Sequence, residues 1–316
     1  MYKYVIKRIL MMIPVLLGVV FVVFFIMSLS PVNPAEVILG DGATPESILA
    51  KEEELGLNKP LIVRYFDYIY DLLHGNMGFS WKNHMSVAEL IKERFINTLA
   101  LALTSEIVAL LIGIPMGIIS AKNQNKFIDH ITMVTALAGI SMPLFWLGLL
   151  LVIIFSVNLK LLPPSGFNTE SITTMLRSAV LPTVALSTLP VAMITRMTRS
   201  SILEVMRQDY IDTARSKGVS EWTITVKHML QNALIPIITV AGLQFGQQLS
   251  GAILTETVFS WPGIGLLIID AIKAKDQQTV LGGVVFISIV FSVVNLVVDV
   301  LYAYVDPRIK SRYKRK

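Results

Sequence analysis

The stretch that decides the fold is residues 209–236, which read DYIDTARSKGVSEWTITVKHMLQNALIP. Its first part predicts a short helix that ends at Gly218, because glycine readily adopts the positive φ that terminates a helix. A second, amphipathic helix is expected over Glu221–Leu230, and Pro236 then opens a long apolar run, where its missing N–H costs little. A short helix held between two apolar spans by a glycine turn suits docking into a groove of another protein. The same residues are also compatible with a solvated, merely basic loop.

The composition of the whole chain indicates a membrane protein. The chain has 316 residues, of which 54% are hydrophobic and 16% charged, and its mean hydropathy is +0.66. Average globular chains carry roughly 25% charged residues. The composition therefore excludes a disordered chain, a coiled coil and an ordinary cytosolic enzyme. Because cysteine is absent, disulfides, thiolate zinc sites and iron–sulfur clusters are excluded as well.

Six apolar stretches are long enough, at about 20 residues each, to cross a membrane. They are Ile9–Leu29, Thr98–Ser120, Ile131–Val157, Ala179–Thr195, Leu234–Thr255 and Thr279–Tyr304. Backbone groups in lipid must satisfy their own hydrogen bonds, so each stretch is predicted to be helical. The predicted fold class is all-α, a polytopic membrane protein with about six transmembrane helices. The fourth stretch is short and contains two prolines, Pro182 and Pro190.

These spans divide the chain into four parts. We expect residues 1–30 to form the N-terminus and first helix, and residues 31–97 to form a large extracytoplasmic loop or cap. Residues 98–305 are expected to form a five-helix core that includes a cytoplasmic loop over 196–232, and residues 306–316 a basic tail.

The distribution of basic residues predicts the orientation. Six spans put both termini on one side, and that side holds 17 of the 27 Lys and Arg residues. Since basic residues collect in cytoplasmic segments, both termini are expected in the cytoplasm. On the opposite side, Glu46–Leu55 and Leu61–Leu73 look like helical pieces of the 31–97 cap.

The chain carries no recognisable catalytic motif. It has no P-loop, no H-E-x-x-H zinc motif and no G-x-S-x-G nucleophile motif. We therefore predict no catalytic residue, no metal site and no cofactor bound by this chain. Nucleic-acid binding is a weaker explanation of the pI near 9.3 than membrane topology. Energy for any active transport would come from a partner or an ion gradient.

Polar residues in the fifth predicted span mark a candidate translocation path. Gln244, Gln247, Gln248 and Thr255 lie at spacings that place them on one helix face. The amides of the three glutamines suit hydrogen bonds to a peptide backbone and do not select among peptide side chains. The alternative is packing between helices, at about 0.6 kcal/mol per hydrogen bond.

Two other spans contain carboxylates. Glu106 lies about eight residues into the second span, where it could line the path and meet a substrate's amino terminus. It could equally be protonated there, or paired across a subunit interface. In the sixth span, Asn295 and Asp299 share a face, and we expect them to pair with a neighbouring helix.

Residues 209–236 resemble the signature of permease subunits of ATP-binding-cassette importers. In that signature, Glu-Ala-Ala is followed after three residues by Gly and later by a Leu-Pro-type ending. Here Asp212-Thr213-Ala214 occupies the first position, with Gly218 at the matching offset. Leu234-Ile235-Pro236 occupies the ending. The long spacing from Gly218 to Pro236 is similar to that of the dipeptide and oligopeptide group.

Other segments spread over nearly the whole chain resemble the same group. They are Ile13–Gly18, Leu55–Pro60, Gly75–Gly78, Phe259–Gly265 and Tyr302–Arg308. The resemblance implies a type I importer permease fold in a bacterial or archaeal plasma membrane. It also implies a second homologous permease subunit, two cytoplasmic ATPase subunits that bind ATP and Mg²⁺, an extracytoplasmic binding protein and a peptide substrate. The same group includes permeases for nickel, metal chelates and glutathione, and an ion-coupled carrier is a third, less favoured hypothesis.

The resemblance assigns the 209–216 helix to coupling with an ATPase. Asp209 and Asp212 lie near its start and Arg215 near its end, as the helix dipole favours. Ala214 is small enough to allow close approach of another backbone, and Gly218 permits the turn back to the membrane.

Overall fold

The computed structural model describes residues 2–40 and 42–305 of the chain, so the basic tail predicted over 306–316 lies outside the described residues. The described part is mainly helical. Its α-helices are α1 (Tyr2–Ser28), α2 (Pro34–Leu39), α3 (Pro45–Glu54), α4 (Leu61–Leu73), α5 (Val87–Lys122), α6 (Phe127–Ser141), α7 (Leu144–Leu151), α8 (Ile172–Met206), α9 (Asp209–Ser216), α10 (Glu221–Thr223), α11 (Gln231–Gly251), α12 (Ile253–Phe259), α13 (Ile264–Lys273) and α14 (Gln277–Val305).

The fold class is the predicted all-α membrane architecture, apart from one small hairpin. Strands β1 (Phe79–Ser80) and β2 (Met85–Ser86) pair antiparallel, with Phe79 opposite Ser86. The two helical pieces predicted in the 31–97 segment are confirmed as α3 and α4.

Five continuous helical stretches of the described chain are long and apolar enough to cross a membrane. They are Val5–Ser28, Val87–Lys122, Ile172–Met206, Glu221–Ser250 and Gln277–Val300. The fourth predicted span lies within α8, which has 35 residues and is much longer than the predicted apolar run. The helix continues through both Pro182 and Pro190. The amphipathic helix predicted over 221–230 is not separate, since α10 continues through a π-helical stretch, Ile224–Leu230, directly into α11.

The third predicted span, Ile131–Val157, is not a straight crossing. It falls on α6 and α7, which meet at 104°, and α7 continues as a π-helix to Asn158. The break comes at Met142 and Pro143. Met142 has extended backbone, with ψ at 127°, because a following proline disfavours the helical conformation.

A second bent pair follows the fifth span. Helices α12 and α13 meet at 78°, and Ser260 between them has a left-handed φ of 48°. The first turns of α5 pack against α13 through Val87, Leu90 and Ile91. This contact explains why α5 begins at Val87, eleven residues before the predicted span.

The most extensive helix contact joins α5 and α8. Gly117 makes the close approach possible, because a Cβ there would lie 2.5 Å from the Thr198 Cβ and 2.7 Å from the Thr195 carbonyl oxygen. Small residues at such seams let membrane helices pack backbone to backbone. The α5–α8 pair is thus the rigid frame on which α6 and α11 are placed.

Candidate functional site

A cavity of about 270 Å³ lies between the α6–α7 bend, the middle of α8 and α11. Its lining is apolar except for a few groups from α8 and α11. The lining includes Met142, Leu186, Pro190, Gln244, Gln247 and Gln248. The break at Pro143 opens this space by turning α7 away from α6, so the proline that interrupts the third predicted span also shapes the cavity.

The three glutamines predicted to share a face do line one cavity, but their environments differ. Gln244 and Gln248 are buried, whereas Gln247 is exposed. Gln248 donates a hydrogen bond of 2.5 Å from Nε2 to Oε2 of Glu106 on α5. The structure therefore brings Glu106 to the cavity wall, behind Gln248.

The Glu106–Gln248 pair is only half satisfied. Oε1 of Glu106 and Oε1 of Gln248 are both buried, and neither has a hydrogen-bond partner within the described chain. Buried polar atoms in native proteins nearly always have a partner, and each exception needs an explanation. Both unsatisfied atoms are oxygens, so this wall has spare capacity to accept hydrogen bonds.

Thr255 does not belong to the cavity lining. The fifth span ends at Gly251 and the chain resumes helix only at Ile253, so the predicted face is interrupted before Thr255. Thr255 is buried on α12, and its Oγ1 has no hydrogen-bond partner among the described residues. The break explains the separation, because helical spacing relates residues only within one continuous helix.

Helix α9 is attached to the bundle by one fully buried side chain. Ile211 packs with Ile224 and Met229 in the largest buried cluster, and Ala214 lies partly buried against the same cluster. Ala214 therefore contacts this chain's own core, on the inner side of α9. Gly218 ends the segment with a φ of +75°, as its glycine predicts.

The charged residues of α9 are distributed as the helix dipole favours, and two of them form ion pairs. Asp209 and Asp212 lie in the first turn. Arg215 donates hydrogen bonds to Oε1 of Glu221 at 2.9 Å and to Oδ1 of Asp212 at 3.4 Å. The bond to Glu221 raises the pKa of Arg215 above its ordinary value. Arg215 thus ties α9 to α10 across the Gly218 turn.

Two exposed aromatic residues of this segment were missed by the sequence interpretation. Trp222 is 76% exposed and Tyr210 is 44% exposed. Large exposed aromatic side chains are typical of protein interfaces. Trp222 could have been found from its position in the predicted amphipathic helix, where the indole stands apart from the buried positions 224, 225 and 229.

The structure also reveals an ion pair between a buried carboxylate and a half-buried guanidinium, which the sequence interpretation missed. Asp129 of α6 accepts two hydrogen bonds from Arg199 of α8, at 2.6 and 2.7 Å. Ser120 Oγ of α5 and the Asn125 backbone N–H donate to the same carboxylate. We call Ser120, Asp129 and Arg199 the junction. Asp129 is 9 positions from Ser120 and 70 from Arg199 in the sequence, so the fold is needed to bring all three together.

Two further carboxylates are structural. Glu256 is fully buried. Its carboxylate accepts hydrogen bonds from Thr98 Oγ1 at 2.7 Å and from the Leu266 backbone N–H at 3.0 Å. These bonds tie α12 to α5 and α13. Asp299 forms an ion pair of 2.9 Å with Arg8 of α1. The predicted pairing of Asp299 with a neighbouring helix is confirmed, whereas the Asn295 amide bonds to its own helix at Phe291.

Two family matches together cover nearly the whole chain. Residues 113–311 match the family described as "Binding-protein-dependent transport system inner membrane component". Residues 1–102 match "Binding-prot-dependent transport system membrane comp, N-term".

Similar proteins of full length include transport permeases of two kinds. The dipeptide transport system permease protein DppB of Alkalihalophilus pseudofirmus is 43% identical, over 98% of this chain and 100% of that protein. DppB of Escherichia coli is 37% identical, over 99% and 100%. The glutathione transport system permease protein GsiC of Salmonella typhimurium is 42% identical, again over 99% and 100%.

Among solved structures, a chain of the MetNI methionine ABC transporter in an inward facing conformation is similar. The TM-score is 0.55 at 17% identity, and the match covers 69% of this chain and 96% of that chain. This likeness shows that the helical core has the fold of an ATP-binding-cassette importer permease.

Proposed function

The chain belongs to the binding-protein-dependent transport system inner membrane components, and we propose that it forms half of the path by which an ATP-driven importer carries peptides. The observation that carries the proposal is the cavity whose wall holds Gln244, Gln247 and Gln248. A primary amide both donates and accepts, as a peptide group does. Apart from Thr188, the rest of the lining is apolar and selects no particular side chain. Such a wall suits substrates that share a backbone and differ in side chains.

We propose that ATP hydrolysis is performed by two separate ATPase subunits. The absence of a P-loop from the sequence and the membership of the family support this division. A second permease subunit would complete the path, and an extracytoplasmic binding protein would deliver the substrate. The chain itself then binds neither ATP nor Mg²⁺ and is no enzyme.

Helix α9 is the proposed contact with an ATPase. Its Ile211 side chain is anchored in the bundle, while Asp209 and Tyr210 remain exposed on the other side. The Arg215–Glu221 hydrogen bond ties α9 to α10, whose next residue, Trp222, is exposed. A short helix that is fixed at its base and exposed at its tip transmits a push from a partner to the spans it joins.

The substrate proposal is tested by uptake with the complete transporter. Proteoliposomes with this chain, its encoded partner subunits and the binding protein should accumulate a labelled dipeptide when ATP is supplied. Unlabelled dipeptides of different side chains should compete for uptake. If glutathione competes and dipeptides do not, the chain serves a glutathione importer, as the named GsiC relative does. If neither competes, the peptide proposal is wrong.

We propose that both termini of the chain lie in the cytoplasm, because Lys and Arg are concentrated in the segments on that side of the membrane. The chain has no cysteine, so Glu53→Cys on exposed α3 gives a single reactive thiol. An impermeant thiol reagent added outside intact cells should label it. Labelling that requires lysis would reverse the topology.

A further inference from the structure

Helix α4 divides its surface into three faces of different chemistry. One face packs against α1 and α14 through Leu61, Tyr65, Tyr68, Ile69 and Leu72. A second face is apolar but 43% to 80% exposed, at Ile62, Val63, Phe66, Tyr70 and Leu73. The third face is polar, with Arg64, Asp67 and Asp71. At about 100° per residue, the exposed apolar face lies between the packed face and the polar face.

The depth of α4 can be read from its contact with α1. Tyr65 donates a hydrogen bond of 3.0 Å from its hydroxyl to the Leu17 carbonyl oxygen. Leu17 lies eleven residues before Ser28, the end of α1, which is about 16 Å along the axis at 1.5 Å per residue. A bilayer's hydrocarbon core is about 30 Å thick. The Tyr65 hydroxyl therefore reaches about one leaflet's depth below the end of α1.

The contact with α14 is shallower, but it too lies below the end of a spanning helix. Leu281 and Val285 of α14 pack in the cluster that holds Tyr65 and Tyr68. They lie four and eight residues after Gln277, where α14 begins, or about 6 and 12 Å along its axis. Two antiparallel spanning helices thus place α4 below the membrane surface on the side of the 31–97 segment.

We propose that α4 is an interfacial membrane helix whose exposed apolar face is covered by the acyl chains of that leaflet. The face continues the exposed surface of α1, because the Tyr65 ring contacts Phe21 of α1 at 5.3 Å and Phe66 at 5.4 Å between centroids. Phe21 is 42% exposed and Phe66 63%. Phe21 and Phe66 both lie against the Tyr65 ring, so they belong to one exposed apolar surface that acyl chains can cover.

The polar face of α4 then lies at the water boundary, as in other interfacial helices. Asp67 forms an ion pair of 2.7 Å with Lys59, and both side chains are half exposed. The predicted cap over 31–97 is therefore not wholly outside the membrane, since this helix is embedded beside α1. The proposal concerns lipid and is independent of the transported substrate.

Site-directed spin labelling tests the proposal directly, because the native chain has no cysteine. Phe66→Cys and Tyr70→Cys sample the exposed apolar face, and Asp67→Cys and Asp71→Cys are the matched controls on the polar face. The labelled, fully assembled transporter is placed in phospholipid nanodiscs. The ratio of collision rates with oxygen and with a water-soluble nickel chelate is then measured at each site. Oxygen should dominate at 66 and 70, and the chelate at 67 and 71.

Two other results would overturn the proposal. Dominance of the nickel chelate at both 66 and 70 would mean that water covers this face. Low collision rates with both reagents at 66 and 70 would mean that a protein subunit covers it. Either result leaves the uptake assay unaffected, so failure here is separate from failure of the peptide proposal.

Discussion

Two buried carboxylates on neighbouring helices are held in opposite ways. Asp129 of α6 accepts four hydrogen bonds, two of them from the Arg199 guanidinium. Glu106 of α5 accepts one hydrogen bond, from the Gln248 amide, and its other oxygen is buried without a partner in the described chain. One carboxylate is saturated at the junction, and the other is unsaturated at the cavity wall.

The difference separates a structural joint from a site that can respond. A fully bonded, charge-paired carboxylate has one favoured arrangement and fixes the helices that supply its donors. An unsaturated carboxylate leaves part of its desolvation cost uncompensated, which a new donor can relieve. We infer that the junction keeps the relative positions of α5, α6 and α8, while the Glu106–Gln248 pair keeps unsatisfied hydrogen-bonding capacity at the cavity wall.

The largest effect on the folded chain is expected at the junction. Arg199→Met removes the charged partner of Asp129, at a cost below the roughly 3–5 kcal/mol of a fully buried pair because Arg199 is partly exposed. The variant should have a much lower melting temperature in detergent. Fluorescence-detected gel filtration after heating measures this temperature. Arg199→Met combined with Asp129→Asn should recover part of the loss, since no uncompensated charge remains. An unchanged melting temperature in the single variant would show that the junction is not structural.

The same contrast shows what could be read from the sequence. The long apolar helices and the Gly218 turn were predictable, because the length of an apolar run and the position of a glycine determine local structure from neighbouring residues alone. Pro143 signals a break, but packing sets its 104° angle. The Glu106–Gln248 contact joins residues 142 positions apart, and no local pattern predicts such a pair. Thr255 was expected on the cavity face, although Ser250-Gly251 just before the break at Ala252 is a dipeptide that often marks a turn.

A smaller effect is expected where the chain leaves α9. Gly218→Val forces a β-branched residue into a positive φ, which costs about 1–2 kcal/mol. A Cβ there meets nothing within 4 Å, so the cost is backbone strain alone. The variant should assemble, yet hydrolyse ATP without proportionate uptake. Gly218→Asn is the control, because Asn tolerates the left-handed region. Normal coupling in both variants would remove α9 from the coupling role.

At the cavity wall, an isosteric change should leave stability almost intact. Glu106→Gln keeps an oxygen that can accept a hydrogen bond from Gln248 and replaces the other carboxylate oxygen with an NH2 group of similar size. The melting temperature should stay close to that of the unmodified chain, while dipeptide uptake falls. Asp129→Asn is the matched change at the junction and should lower the melting temperature clearly. Equal destabilisation by both substitutions would contradict the proposed division between joint and binding wall.

The smallest effect on folding is expected at Gln247, the cavity glutamine that is exposed. Its side chain makes no hydrogen bond within the described chain, so Gln247→Leu leaves no buried group unsatisfied. If the amide bonds a passing peptide, its loss removes about 1 kcal/mol, or roughly a fivefold fall in uptake. Ile238→Ala, on the opposite side of α11 and 38% exposed, is the control. It shortens a side chain outside the cavity and should leave uptake unchanged. Unchanged uptake in Gln247→Leu, or an equal fall in both variants, would mean that the glutamine face packs and does not carry substrate.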